Sequence, residues 1–118
     1  MPVVLDTNAL MTPFQARLNL DMEIERLLGK TDIYVPSCVL GELKRLAARR
    51  WEAKAALQLA GKYRIVEVDS LGDAGVIEAA KKLNAYVFTN DRILISSLRK
   101  EGLGVITLSN NHLVILDE

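Results

Sequence analysis

The chain has 118 residues, half of them apolar and a quarter charged, which suits one ordinary globular domain built around one core. Its 15 basic and 15 acidic residues balance to zero formal charge, which argues against coating nucleic acid through bulk charge, and its apolar runs are far shorter than the roughly 20 residues a membrane-spanning helix needs. One cysteine, Cys38, and one histidine, His112, exclude an internal disulfide and an intrachain zinc site of Cys and His ligands, so a reducing cytoplasm is the expected compartment and oxygen the expected metal donor.

Short β-rich runs alternate along the chain with stretches of helical spacing. The first run, Val3–Leu5, leads directly into Asp6-Thr7-Asn8. Leu20, Ile24, Leu27 and Leu28 then fall on one helical face that ends at Gly29. After a second run, Ile33–Val35, helical spacing extends from Ser37, a plausible N-cap, to Arg50, with Val39, Leu40, Leu43, Leu46 and Ala47 apolar. Glu52–Ala60 is Ala- and Leu-rich and stops at Gly61. A third strand over Ile65–Val68 precedes a helix carrying Val76, Ile77, Ala80 and Leu83. A fourth, Tyr86–Phe88, precedes one carrying Ile93, Leu94 and Leu98 that stops near Gly102. Val105–Leu108 follows. Leu113–Leu116 is reached through Ser109-Asn110-Asn111, too short for a crossover, so it is an antiparallel edge partner or merely extended.

Strands apolar throughout and separated by helices predict an α/β fold, a three-layer α/β/α sandwich around four or five parallel strands. Ligands of such sheets bind outside the carboxyl ends of the strands, and four acids map to that edge. Asp6 follows the first strand and Asp91 the fourth; Glu42 and Asp73 lie near the starts of the helices after the second and third. Singly, each has an ordinary reading as an Asx-turn, a helix cap, a dipole partner or a solvated helix residue. Together they repel, and at least one pKa should rise. No Lys, Arg or His occupies positions 1–16 and none immediately precedes Asp73. A divalent cation is thus the natural counter-charge, and carboxylates suit Mg²⁺ or Mn²⁺. Such an ion activates water for attack on a phosphodiester and stabilises the leaving oxygen.

Charge elsewhere is uneven. Between Lys44 and Arg64 lie seven basic residues (Lys44, Arg45, Arg49, Arg50, Lys54, Lys62 and Arg64) against one acid, Glu52. This is either an RNA-binding face, with Lys44, Arg45, Arg49, Arg50 and Lys54 foremost, or a solvated helical surface. Trp51, inside that stretch, reads as helix packing or a subunit contact before a base platform. Cys38 reads as a small buried hydrophobe and His112 as a turn or surface residue.

The same positions carry a resemblance to a known family. Val3-Val4-Leu5-Asp6-Thr7-Asn8-Ala9-Leu10 is similar to the opening of PIN domains, and Val35-Pro36-Ser37-Cys38-Val39-Leu40-Gly41-Glu42-Leu43 to their second block. Gly72-Asp73-Ala74-Gly75-Val76-Ile77-Glu78-Ala79-Ala80 resembles the third, and Tyr86-Val87-Phe88-Thr89-Asn90-Asp91-Arg92-Ile93-Leu94 the fourth. The blocks reach from residue 3 to about residue 108. The resemblance implies a parallel sheet of order 3-2-1-4-5 and a metal-dependent endoribonuclease with Mg²⁺ or Mn²⁺ on Asp6, Glu42, Asp73 and Asp91. It further implies Thr7, Asn8, Thr89 and Asn90 as groups orienting the carboxylates or the ion's water, a homodimer, and a cognate antitoxin or an RNA-processing complex as partner. Gly72 and Ala74 flank Asp73 where many relatives carry another acid, which weakens the case for a second tightly held ion.

Rival readings fit less well. A phosphoacceptor receiver domain wants an acidic pair after the first strand and a Lys after the last, and neither is present. A haloacid-type phosphatase wants Asp at position 8, which is Asn. The remaining alternative is a PIN-like module that binds RNA or protein without cutting.

Overall fold

The computed structural model describes residues 1–116. Six strands form one sheet in the order β3-β2-β1-β4-β5-β6, built from β1 (Val3–Leu5), β2 (Ile33–Pro36), β3 (Arg64–Val66), β4 (Tyr86–Phe88), β5 (Val105–Ser109) and β6 (His112–Leu116). The first five run parallel and β6 is antiparallel to β5. The expected parallel order 3-2-1-4-5 is therefore present, and the last run is a true edge strand. Asn110 and Asn111 both adopt positive φ, as a two-residue hairpin turn of type I′ requires.

Helices cover the sheet: α1 (Thr7–Ala16), α2 (Leu20–Leu28), α3 (Ser37–Leu46), α4 (Trp51–Ala60), α5 (Gly72–Leu83) and α6 (Arg92–Lys100). β1 and β4 lie at the centre, where Val3, Val4, Leu5, Val87 and Phe88 are wholly buried. They pack with Leu10, Ile24, Leu43, Leu94 and Leu98 in one hydrophobic cluster. Chain order reverses between β1 and β4, so the crevice at their carboxyl ends is the topological switch point.

Four local features depart from the sequence-based expectations. Helix α1 follows Asp6 at once although it contains Pro13. Asp6 caps its start and Ala9, Leu10 and Met11 are buried, which offsets the cost of a proline inside a helix. The helix expected to run to Arg50 stops at Leu46, and Arg50 is extended (φ −128°, ψ 124°) before α4 begins. Ser37 is not an N-cap. Pro36 occupies that position, and the Ser37 hydroxyl accepts from Val68 N at 3.0 Å, tying α3 to the chain leaving β3. Strand β3 itself is Arg64–Val66, not Ile65–Val68. No helix among the described residues is long and apolar enough to cross a membrane.

Candidate active site

Asp6 joins β1 to α1 as the N-cap of that helix. Its Oδ1 accepts from Ala9 N at 2.7 Å, its Oδ2 accepts from the Thr89 hydroxyl, and only 6% of the residue is exposed. Thr89 follows β4, is fully buried, and accepts from Asp91 N at 3.0 Å. One hydroxyl thus joins the acids that leave neighbouring strands. Asp91 is held in turn as the N-cap of α6, where its Oδ1 accepts from Ile93 N at 2.8 Å and Leu94 N at 3.2 Å. The sheet register fixes this pair, because Leu5 of β1 sits opposite Phe88 of β4.

Glu42 and Asp73 come from the helices that follow β2 and β3. Glu42, on α3, accepts from the Thr7 hydroxyl, a contact between residues 35 positions apart. Asp73, in the first turn of α5, is exposed. Gly75 lets α5 approach: a Cβ there would lie 2.5 Å from Cys38 Sγ and 2.5 Å from the Ser70 carbonyl oxygen.

All four acids line one pocket of about 210 Å³, together with Thr7, Asn8, Cys38 and the basic residues Arg45 and Arg50. Electrostatics follow from that placement. Burial pushes the Asp6 carboxyl up to about 6, helped by the charges of Asp91 and Asp73 and opposed by the bonds from Thr89 and Ala9. Partial desolvation, with Asp91 and Glu42 nearby, raises Asp73 as well. The expected rise in a carboxyl pKa is present, with burial as its larger cause at Asp6.

The candidate orienting residues divide. Thr7 and Thr89 each donate to a carboxylate. Asn8 lines the pocket and its backbone carbonyl accepts from Thr12. Asn90 does not reach an acid: its Oδ1 accepts from Thr107 Oγ1 and Leu108 N, and its Nδ2 donates to Thr12. It ties the turn after β4 to β5 and α1 instead. All five candidate basic residues are exposed, and of them Arg45 and Arg50 line the pocket while Lys44, Arg49 and Lys54 do not. Along the chain no cation stands beside Asp6 or Asp73, but the fold brings Arg45 and Arg50 to the pocket they line. Arg45 is three residues from Glu42, so the two share a helix face, and that spacing was the available signal. Cys38 is half-buried at the pocket wall, and burial raises its thiol pKa. His112 faces Glu23 at the far edge, on β6.

The model of a family described as "PIN like domain" matches residues 3–111. The ribonuclease VapC4 of Methanocaldococcus jannaschii is 33% identical over 90% of this chain and 88% of its own length. The ribonuclease VapC9 of Archaeoglobus fulgidus is 29% identical over 97% of this chain and 87% of its own. Among solved structures, the PIN domain endonuclease Utp24 superposes with a TM-score of 0.83 at 23% identity, covering 97% of this chain and 90% of that one. VapBC2 of Rickettsia felis, bound to a promoter DNA fragment, gives a TM-score of 0.70 at 17% identity, covering 92% and 100%. At these identities the structural likenesses concern the fold alone, but the family match spans nearly the whole chain and a third of its residues recur in VapC4. The protein belongs to the PIN-like domain family.

Proposed function

We propose that this chain is an endoribonuclease that depends on Mg²⁺ or Mn²⁺ held by Asp6, Glu42, Asp73 and Asp91. The observation that carries the reading is the convergence of four carboxylates from four separate elements on one pocket, where burial, with a smaller push from Asp91 and Asp73, raises the Asp6 carboxyl. The chemistry of the donor set fits such an ion, since all four are hard oxygen ligands. A bound divalent ion supplies an activated water and stabilises the leaving oxygen of a phosphodiester. The chain's own residues set the geometry. Ala9 N and Thr89 fix the Asp6 carboxylate, and the cap of α6 fixes Asp91. Thr7 holds Glu42. Arg45 and Arg50, at the pocket wall, bring positive charge to the scissile phosphate, with Lys44, Arg49 and Lys54 extending the phosphate contacts outward.

The names of the two ribonuclease relatives support RNA as substrate; a cognate antitoxin as partner, or an RNA-processing complex as the alternative setting, we propose from the resemblance of the sequence to PIN domains. The compartment we propose is the cytoplasm, and the assembly a two-fold homodimer, which light scattering at tens of micromolar would reveal as twice the chain mass. The cleavage test uses linear single-stranded RNA with Mn²⁺, with and without chelator. Wild type should cut only without chelator and Asp91→Asn should not cut. Cleavage in both chelator and the variant would contradict the proposal.

A second reading has one observation in its favour. Among the described residues, no three acidic, Cys or His side chains already stand together as a metal-ligand set. A PIN-like module that binds RNA or protein without cutting would look the same. We favour the nuclease because an ion of this class keeps several waters, through which the four carboxylates can hold it without standing in direct contact with one another.

A further inference from the structure

Trp51 is the one tryptophan of the chain, and 64% of it is exposed. An indole carries a large apolar surface, and leaving it in water is costly unless something covers it. Its one aromatic neighbour is Phe14, with ring centroids 6.4 Å apart and planes at 76°. A contact of that kind steadies the indole and leaves at least one of its faces open.

The surroundings say what that face takes. Arg50, the residue before Trp51, lines the acidic pocket. Lys44, Arg45, Arg49 and Lys54 are exposed and make no ion pair among the described residues. A two-fold contact centred on Trp51 would lay this cationic surface against itself, which like charges oppose. A polyanion with flat apolar groups matches both features. Single-stranded nucleic acid is such a molecule: phosphates track a basic groove while unpaired bases stack on aromatic rings.

We infer that Trp51 is a stacking platform for an unpaired base of the RNA, next to the phosphate contacts of Arg49 and Arg50 and beside the acidic pocket. This deepens the ribonuclease reading and rests on it: the substrate class narrows to RNA that is single-stranded where it passes Trp51. Base-paired RNA cannot offer a free face there. Trp51 acts by positioning the strand and touches no reacting atom.

The single tryptophan is also the probe. The 118-residue chain in EDTA, where no cleavage occurs, is titrated with a short single-stranded oligoribonucleotide and with a matched abasic strand. Indole fluorescence reports stacking, and anisotropy of labelled RNA reports binding. The base-bearing strand should quench the indole and the abasic strand should not. Trp51→Ala should raise Kd roughly 5- to 150-fold, and Trp51→Phe should fall between it and wild type. Binding with unchanged fluorescence and an unchanged Kd for Trp51→Ala overturns the platform and leaves the nuclease reading standing. Absence of any RNA binding overturns both. Fluorescence that shifts with protein concentration in RNA-free samples means a second copy covers the ring, and the platform also falls. If Trp51→Ala does not fold, the wild-type titrations with the two strands and the Trp51→Phe Kd decide.

Discussion

Replacing Asp6 with Asn should stabilise the metal-free protein at neutral pH, and by an amount that depends on pH. The Asp6 carboxyl rises from 3.8 to about 6 on folding, chiefly through burial. A raised acid leaves the folded state unpenalised below its unfolded pKa; the penalty grows as pH climbs from the unfolded to the folded pKa and is complete above the latter. For a rise of this size the full penalty is about 3 kcal/mol at pH 7.5. Asn keeps the cap, since its oxygen can accept from Ala9 N as Oδ1 does now. It gives up the charge-assisted bond from Thr89, whose lowering effect is already inside that net rise. A gain of up to about 3 kcal/mol follows, or a rise in Tm of up to roughly 15 °C for a chain of this size. Carboxyls lowered by their partners, such as Glu23 beside Arg26 and Leu113 N at about 2, lose stability as pH falls. They do so equally in both proteins and cancel in the comparison. Thermal melts in EDTA should therefore separate the two proteins at pH 7.5, and the advantage of Asp6→Asn should disappear by pH 4. Saturating Mn²⁺ should then stabilise wild type over its own metal-free form, by about 2.7 kcal/mol at a hundredfold excess over Kd, and Asp6→Asn by less. An advantage that is absent at pH 7.5, or unchanged at pH 4, refutes the reasoning.

Three further outcomes follow from the same geometry. Thr89→Val keeps the shape but removes the hydroxyl that donates to Asp6 and accepts from Asp91 N; it should cost about 1–3 kcal/mol in stability and push the Asp6 carboxyl higher still, read by NMR titration of the carboxyl. Gly75→Ala should destabilise by about 1–3 kcal/mol in chemical denaturation, and adding Cys38→Ala should not restore it, because the Ser70 carbonyl oxygen remains 2.5 Å from the new Cβ. Replacing Arg49 and Arg50 with Gln should flatten the log–log salt dependence of RNA affinity by about 0.7 per lost contact, with little change in Tm.

The sheet was legible because β1, β2 and β4 are short apolar runs that end abruptly in polar residues, and a parallel sheet leaves exactly that pattern of buried strands. The acids were legible for the same reason: Asp6 and Asp91 sit where two such runs stop. What escaped depends on contacts distant in sequence. Helix α1 holds Pro13 and lacks a clear apolar stripe, so only burial of Ala9, Leu10 and Met11 against the core reveals it. No Gly or Pro marks the break between Leu46 and Trp51, so α3 and α4 read as nearly continuous. Ser37 has the residue type of a cap, but the Val68 backbone claims its hydroxyl. Asn90 stands beside Asp91 in sequence, yet its amide faces β5.

The central claim is that the four-acid pocket cuts RNA internally with a divalent ion, and a circular single-stranded RNA tests it most directly because it has no ends. With Mn²⁺, wild-type protein should first convert the circle to a linear strand of full length. Neither wild type in EDTA nor Asp6→Asn in Mn²⁺ should do so. A circle that stays closed with wild type in Mn²⁺, or opens equally with Asp6→Asn, would contradict the account.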